Sequence, residues 1–243
     1  VYNFPQYDEN MVNDICKYKN ELYVGGNFHS YDTNNIRDIA KWNGQSWESV
    51  GGGIQGDMGI NRMVVYHDKL VVAGLFYKQY GNAGNFIMTW DGQQWEELGG
   101  GTWGQLNNLN SLGTIYDMQV YNDKLYICGL FNYAGTTPAS HVAVWDGERW
   151  CGYPGVFDNS VYAMTIFNDT IYIACGMTID GDTVYNFARW GGGLIPDTCG
   201  SVGISHINSD KENVLVYPNP CNNYIWIEST DQNFSDGFIE IVD

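Results

Sequence analysis

A seven-residue segment recurs along this chain and constrains its fold more than any other feature. Leu22–Phe28 (LYVGGNF) returns as Leu70–Phe76 (LVVAGLF) and Leu125–Phe131 (LYICGLF), and a weaker copy is Ile171–Met177 (IYIACGM). Each copy is a short apolar run that ends in small residues and an aromatic residue or methionine, as expected for a β-strand that leads into a turn. The chain is therefore predicted to be a repeat protein.

Two hairpin signals accompany the recurring segment. The first is a pair of turn residues just before it, at Lys19-Asn20, His67-Asp68, Asn122-Asp123 and Asn168-Asp169. The second is Asn-Gly or Asp-Gly between two tryptophans, at Trp42–Trp47, Trp90–Trp95 and Trp145–Trp150, with a fourth copy at Trp190 that keeps the glycine turn and loses the second tryptophan. Asn, Asp and Gly tolerate the backbone angles of tight hairpin turns. Each repeat therefore has four predicted strands in two hairpins.

The length of the repeat predicts an all-β fold, a β-propeller of four-stranded blades. The first tryptophan of each pair stands at positions 42, 90, 145 and 190, and the longest interval contains a Gly- and Asn-rich insertion from Gly101 to Thr114. A unit of about 45 to 50 residues is the usual size of a propeller blade. The predicted blades are residues 12–54, 60–105, 115–156 and 161–200.

The ends of the chain differ from the repeats. Residues 1–11 match the tail of a preceding blade. This segment is either the end of a longer array or a single strand that closes the ring by pairing with the last repeat. Residues 201–213 are polar and are predicted to form a linker. Residues 214–243 begin a second domain, which is predicted to be a truncated β-sandwich.

Charge and composition exclude several classes of function. The net charge of -17 disfavours binding to nucleic acid, which needs clustered Lys and Arg. No apolar run reaches the length of a membrane span, so no membrane insertion is predicted. The six cysteines lack the spacing of a zinc site; in an oxidising compartment Cys175–Cys199 or Cys151–Cys199 disulfides are open alternatives.

The repeat resembles a kelch-type propeller blade. Gly25-Gly26 matches the glycine pair of that family, and Trp47, Trp95 and Trp150 match its late aromatic residue. The glycine pair is reduced in the later repeats, and the additional tryptophan at the end of the third strand departs from the kelch pattern. The resemblance implies the propeller architecture and leaves the activity open, because propellers include both enzymes and binding proteins.

The C-terminal segment resembles a different family. Val216-Tyr217-Pro218-Asn219-Pro220, within 213–227, is similar to the start of the C-terminal sorting domain of type IX secretion substrates in Bacteroidetes. This resemblance implies export by the type IX secretion machinery, which would be a partner of the chain, and a location outside the cell or on the outer-membrane surface. The alternative is an ordinary strand-entry turn, since both prolines suit one.

Candidate binding residues lie in the polar loops that follow the second strand of each repeat. These loops fall on one rim of a propeller and carry aromatic side chains at Tyr31, Tyr77, Tyr80, Tyr133 and Tyr185. Aromatic rings beside Asn and Gly predict a surface for carbohydrate or protein. The alternative is that these rings pack between neighbouring blades.

Acidic residues offer weaker candidates. Asp14 and Asp117 share a position in the first strand of two repeats, where Arg62 stands between them, and an internal ion pair is preferred over an acidic ring that holds a cation. Asp180 and Asp182 resemble a fragment of a calcium loop without its distal glutamate.

These observations favour a non-enzymatic protein- or glycan-binding module that is exported by the type IX system. No catalytic residue and no cofactor is predicted, because none of the usual catalytic or phosphate-binding motifs is present. The alternative is a propeller glycosidase or lyase whose catalytic acids lie partly outside this chain.

Overall fold

A computed structural model describes residues 11–29, 35–55, 59–106, 109–152, 157, 159–179, 182–190, 214–217 and 226–229. The chain divides into two compact units, Val1–Ile195 and Pro196–Asp243. The predicted all-β class is confirmed: the described residues form strands and one short 3-10 helix, Lys78–Tyr80. In the second unit they form a two-stranded sheet.

The strands follow one another in the order expected for hairpins. They are β1 (Met11–Tyr18), β2 (Glu21–His29), β3 (Arg37–Trp42), β4 (Trp47–Ser49), β5 (Ile60–Tyr66), β6 (Lys69–Gly74), β7 (Ile87–Trp90), β8 (Trp95–Glu97), β9 (Thr102–Leu106), β10 (Leu109–Leu112), β11 (Ile115–Tyr121), β12 (Lys124–Gly129), β13 (Tyr133–Ala134), β14 (Thr137–Pro138), β15 (Val142–Trp145), β16 (Trp150–Gly152), β17 (Val161–Phe167), β18 (Thr170–Ile179), β19 (Asp182–Trp190), β20 (Val214–Tyr217) and β21 (Trp226–Ser229).

Each repeat forms its own antiparallel sheet. The first sheet has the order β1-β2-β3-β4, the second β5-β6-β7-β8 and the third β11-β12-β15-β16. The fourth sheet contains β17-β18-β19 among the described residues, and β20 pairs with β21. An accessory sheet, β10-β9-β13-β14, joins the insertion after the second repeat to the loop of the third. These sheets form no closed ring within the described part of the chain.

The hairpin turns confirm the sequence prediction. Both residues of each pair have a positive φ, as in Lys19 (44°) and Asn20 (66°) or Asn122 (46°) and Asp123 (60°). The second hairpin uses a longer loop, in which the Asn43 carboxamide oxygen accepts hydrogen bonds from the backbone N–H groups of Gln45 and Ser46, and Asp91 and Asp146 do the same in their repeats. Short side-chain acceptors are suited to such turns.

The tryptophans that flank each of these loops are cross-strand pairs. Their ring centroids are 5.3 Å apart for Trp42 and Trp47, 5.0 Å for Trp90 and Trp95, and 5.2 Å for Trp145 and Trp150. Tilted aromatic pairs of this kind stabilise hairpins beyond the area that they bury.

Neighbouring sheets pack through their first strands. β1 contacts β5, β5 contacts β11, and β11 contacts β17. Met63, Met118 and Met164 occupy the same register in three of these strands, each opposite the third residue of the recurring segment, and they are 4%, 5% and 7% exposed. Ile15 holds the same place in β1 and is 61% exposed. The hydrophobic core therefore lies between adjacent sheets, and β1 presents one such face to solvent.

Every first strand contains a bulge, and the bulged residues of β1 and β5 reach the next sheet. The register shifts at Val12/Asp14, Ile60/Arg62, Ile115/Asp117 and Val161/Ala163. The bulged residues Asn13 and Asn61 donate to the carbonyl oxygens of Ile60 and Ile115, both at 2.8 Å. A bulge re-aims the side chain at its unpaired position, and here it links one sheet to the next.

One local prediction needs correction. The segment of the fourth repeat that carries Tyr185 was predicted to be a polar loop after the second strand, but it is largely strand, because β18 and β19 pair as far as Ile179 and Asp182. The insertion between the second and third repeats, for which no structure was predicted, contains a hairpin of the accessory sheet formed by Thr102–Leu106 and Leu109–Leu112.

Candidate functional site

Tyr77 and Tyr80 lie together in the loop between β6 and β7. The Tyr77 ring contacts Tyr80 edge to face at 5.9 Å and Phe86 at 4.8 Å. Burial, and then the neighbouring Tyr80, raise the pKa of Tyr77, so its hydroxyl stays protonated at neutral pH. Tyr80 is 56% exposed. Tyr77 is thus mainly a packing residue, whereas Tyr80 presents its ring to solvent.

Two asparagines hold this loop in place. The Asn82 side chain donates to the carbonyl oxygens of Gln55 and Tyr77 and accepts from the Gln55 N–H, which fixes the loop to the first repeat. The Asn85 side chain accepts from the Lys78 N–H at 2.9 Å. Gly81 ends the 3-10 helix in the left-handed conformation that glycine adopts readily. The loop is ordered by its own polar side chains.

A second aromatic pair is formed by Tyr133 and Trp103 of the accessory sheet. Their rings are stacked, with centroids 4.0 Å apart and an interplanar angle of 4°. The two residues are also directly opposite each other in the pairing of β13 with β9. The Trp103 indole N–H donates to the Gly135 carbonyl oxygen at 2.8 Å. Strand pairing, stacking and this hydrogen bond all fix the orientation of the indole.

The stacked pair remains accessible to a ligand. Trp103 is 40% exposed and Tyr133 is half-buried. A rigid aromatic surface with few rotatable bonds loses little conformational entropy when it binds. Trp103 was absent from the residues predicted from the sequence, because it lies in the insertion, where the repeat gives no signal. An isolated tryptophan in a Gly- and Asn-rich stretch was the available clue.

The other predicted site residues lie wholly or partly outside the described part of the structure. Tyr31, Asp180, Pro218, Asn219 and Pro220 lie outside the described residues. Tyr185 and Asp182 belong to β19, and Tyr217 belongs to β20. Only the strand assignment of these three residues is described, not their side chains. The calcium and sorting-signal assignments therefore stay predictions.

The acidic residues of the first strands confirm the preferred ion pair. Arg62 Nε is 2.7 Å from Asp117 Oδ1, and Arg62 Nη1 is 4.0 Å from Asp14 Oδ1. The Asp117 hydrogen bond is the main cause of a raised pKa for Arg62. The second oxygen of each carboxylate accepts a backbone N–H of the next first strand, from Met63 for Asp14 and from Met164 for Asp117.

This arrangement gives the two acids a structural role. Each carboxylate bridges adjacent sheets, and Arg62 offsets part of their charge. Asp117 is buried and Asp14 is half-buried, and hydrogen bonds to ionised carboxylates are stronger than those between neutral groups. Neither acid is held free for acid–base chemistry on a substrate.

Metal and membrane sites are not found in the described part of the chain. No three His, Cys, Asp or Glu side chains among the described residues converge as metal ligands. Within the same residues, no helix is long and apolar enough to cross a membrane. Cys16, Cys128 and Cys175 are thiols, and Cys151 is disulfide-bonded. The Cys175–Cys199 alternative is therefore wrong, and the partner of Cys151 lies outside the described residues.

Comparison with known proteins finds no matching family model and no curated protein of similar sequence. Function is therefore inferred from the geometry of the aromatic surface, which we define as the stacked pair Trp103 and Tyr133.

Proposed function

We propose that this chain is a non-enzymatic glycan-binding module. The observation that carries the proposal is the stacked, half-exposed pair of Trp103 and Tyr133, whose rings are held by strand pairing and a hydrogen bond. Flat aromatic faces with a polar edge are suited to ligands that are apolar on one side and hydroxylated on the other. A protein ligand is the second candidate for the same surface.

The proposed architecture is a kelch-like β-propeller. Four sheets of antiparallel strands, each joined to the next through its first strand, support this architecture. The loops that carry Tyr80 and Tyr133 follow the second strand of their repeats, which in a propeller places them on one rim. Binding residues on loops above a rigid sheet scaffold are common.

The proposal includes export by the type IX secretion machinery and a location outside the cell or on the outer-membrane surface. Its support is the Tyr217-Pro218-Asn219-Pro220 motif at the end of β20. The pairing of Val214–Tyr217 with Trp226–Ser229 is compatible with the opening hairpin of a small β-domain.

A glycan array tests the binding proposal. Wild-type protein should bind at least one glycan class, and Trp103→Ala or Tyr133→Ala should weaken binding about tenfold or more, as expected when an anchoring aromatic is removed. Tyr162→Ala is the matched control, because Tyr162 is also an exposed tyrosine stacked on an aromatic ring, that of Tyr116. Equal losses in all three variants would contradict the assignment of the site.

The enzyme alternative is tested in the same experiment. Every glycan that binds is incubated with the protein and its products are analysed. Turnover that Asp14→Ala or Asp117→Ala abolishes would replace the binding module with a glycosidase or lyase. We expect no products, because both carboxylates accept backbone hydrogen bonds from the next sheet and are bound to Arg62.

A further inference from the structure

A cavity of about 180 Å³ lies between the first and second sheets, away from the aromatic surface. Its lining comes from both sheets and consists of Lys19, Glu21, Tyr23, Lys41, Ser49, Val50, Trp90, Gly92 and Gln93. The volume is below the roughly 300 to 1,000 Å³ of pockets for drug-sized ligands. A single small ring is therefore the largest ligand that fits inside.

The polar wall of the cavity is built around Glu21. Its carboxylate accepts a hydrogen bond from Lys41 Nζ at 3.0 Å and one from the Tyr23 hydroxyl at 3.2 Å. Lys41 also lies 3.8 Å from Glu48. Burial, followed by the charge of Glu21, raises the pKa of Tyr23 to about 12, so the hydroxyl remains protonated at neutral pH.

The opposite wall comes from the second sheet. Trp90 is buried and lines the cavity. The Lys19 ammonium crosses to this sheet and donates to the carbonyl oxygen of Asp91, beside Gly92. Gln93 is an exposed residue of the same hairpin. The cavity thus combines aromatic and apolar surface with amine, carboxylate and amide groups.

One group in this wall has an unused hydrogen-bonding capacity. Ser49 Oγ is buried and makes no hydrogen bond with the described part of the protein. A buried hydroxyl without a partner is costly, and native structures usually satisfy it with water or a ligand. This is an observation independent of the volume of the cavity, and it points to a polar occupant.

Comparison among the repeats shows that the second and third sheets do not share the polar wall. The cross-strand pair Tyr23–Lys41 corresponds to Val71–Thr89 in the second sheet, Tyr126–Val144 in the third and Tyr172–Arg189 in the fourth. A tyrosine therefore lies opposite a cation in the first and fourth sheets and not in the two between them. The strand pairing is the same in all four sheets, so the packing of the sheet does not require this pair of side chains.

We propose that this cavity binds one neutral sugar residue. Lys41 is paired with the carboxylates of Glu21 and Glu48, and the Lys19 ammonium donates to the carbonyl oxygen of Asp91, so both amines already have partners and the site is not built to attract an anion. The mixture of amine, carboxylate, hydroxyl and amide groups around the cavity suits a ligand with several hydroxyls that can each donate and accept hydrogen bonds. This site goes beyond the aromatic surface and is independent of it.

Saturation-transfer NMR and calorimetry on the full chain test this proposal with glucose, galactose, mannose, fucose and N-acetylglucosamine. Glucuronic acid and glucosamine are the charged comparisons. At least one neutral sugar should bind with millimolar affinity, and Gln93→Ala should weaken it about fivefold through the loss of one hydrogen bond. Ser49→Leu, which fills the cavity, should abolish binding. Gln94→Ala, in the same hairpin, and Glu148→Ala, at the equivalent place in the third sheet, should bind as the wild type does.

The outcomes separate this site from the aromatic surface. Absence of binding by every neutral sugar, or binding by charged sugars only, would overturn the proposal. Binding that survives both Gln93→Ala and Ser49→Leu would also overturn it. Loss of binding in Trp103→Ala but not in Gln93→Ala would assign the sugar to the aromatic surface and leave this proposal wrong while the proposed function stands.

Discussion

The second glycine position of the recurring segment has no room for a side chain, whereas the first position can accommodate one. A Cβ atom added at Gly26, Gly74 or Gly129 would lie 1.9 to 2.1 Å from the backbone carbonyl oxygen of the residue that begins, or directly precedes, the bulged first strand. A Cβ at Gly25 would instead approach the side chains of Ile60 and Met63 at 2.9 and 3.0 Å. Side chains can move, whereas the backbone of a bulge cannot move without disturbing the sheet.

This difference explains the drift of the motif. The first position changes from Gly25 to Ala73 and Cys128, while glycine is kept at the second position in the first three repeats. The glycine at the second position was therefore visible in the sequence, but its physical cause was not, because the close backbone contact that requires it depends on the pairing of two strands.

The Gly74→Ala variant tests this account of the bulge. We expect it to lower the free energy of unfolding by about 1–3 kcal/mol, as overpacking against fixed atoms does. Gly25→Ala, the matched control, should cost less than about 1 kcal/mol, because later repeats accommodate a side chain there. Urea unfolding measures both values. Equal losses in the two variants would mean that the backbone contact is not what selects glycine.

At the scale of elements, the first strands hold the repeats together. Tyr18 and Tyr66 donate from their hydroxyls to the backbone carbonyls of Asp68 and Asp123 in the next repeat, and Tyr121 donates to the Asp169 carboxylate. These contacts repeat with the same register as the methionines. Phe167, at the equivalent position of the fourth sheet, has no hydroxyl to donate and is exposed.

Met63→Ala and Ile15→Ala form a matched test of this packing, because the two side chains occupy equivalent places in β5 and β1. The Met63 variant should destabilise the protein by about 2–5 kcal/mol, since it leaves a cavity between two sheets. The Ile15 variant should cost less than about 1 kcal/mol, because the side chain is exposed. Thermal or urea unfolding gives both values. A loss at Ile15 as large as that at Met63 would contradict the exposure of the β1 face.

The elements that the sequence predicted are those with strong local signals. The hairpins at Lys19-Asn20 and Trp42–Trp47 depend on turn residues and adjacent strands, and both were predicted. The accessory sheet was not, because β13 and β14 have two residues each and β14 contains Pro138, which disfavours a strand. Its formation depends on pairing with β9 across the chain, which no local pattern contains.

The candidate sites also divide into those with a local sequence signal and those without one. The loops that carry Tyr80 and Tyr133 could be predicted because the repeat marks them. Trp103 and the cavity near Ser49 could not be predicted, because each is assembled from two repeats or from an insertion. Sites between repeats depend on the tertiary arrangement of sheets, whereas periodicity reports on one repeat at a time.

At the scale of the whole molecule, the two units have different proposed roles. Val1–Ile195 contains the repeats and both candidate sites, and Pro196–Asp243 contains the Tyr-Pro-Asn-Pro motif that is proposed as a sorting signal. Repeated antiparallel sheets explain how segments of similar sequence can present different side chains at equivalent places. Function then depends on the variable positions and not on the repeat itself.

Deletion of residues 214–243 tests the export proposal. In a host with a type IX system, we expect the truncated protein to remain inside the cell while the full chain is secreted, and immunoblots of cell and medium fractions measure this. Pro218→Ala with Pro220→Ala is the finer variant, and it should reduce secretion while leaving the repeats folded. Unchanged secretion of the deleted form would contradict the proposed signal.

The central claim of a glycan-binding aromatic surface is tested most directly by locating a bound glycan on the protein. The measurement is a two-dimensional ¹⁵N NMR titration of the wild-type chain with the glycan that binds best on the array, followed at the indole N–H of Trp103. We predict that this resonance and that of Gly135 shift with saturable dependence on glycan concentration, and that Tyr133→Ala removes the shift without unfolding the protein. A glycan that binds or is cleaved while the Trp103 resonance stays unchanged would contradict the claim.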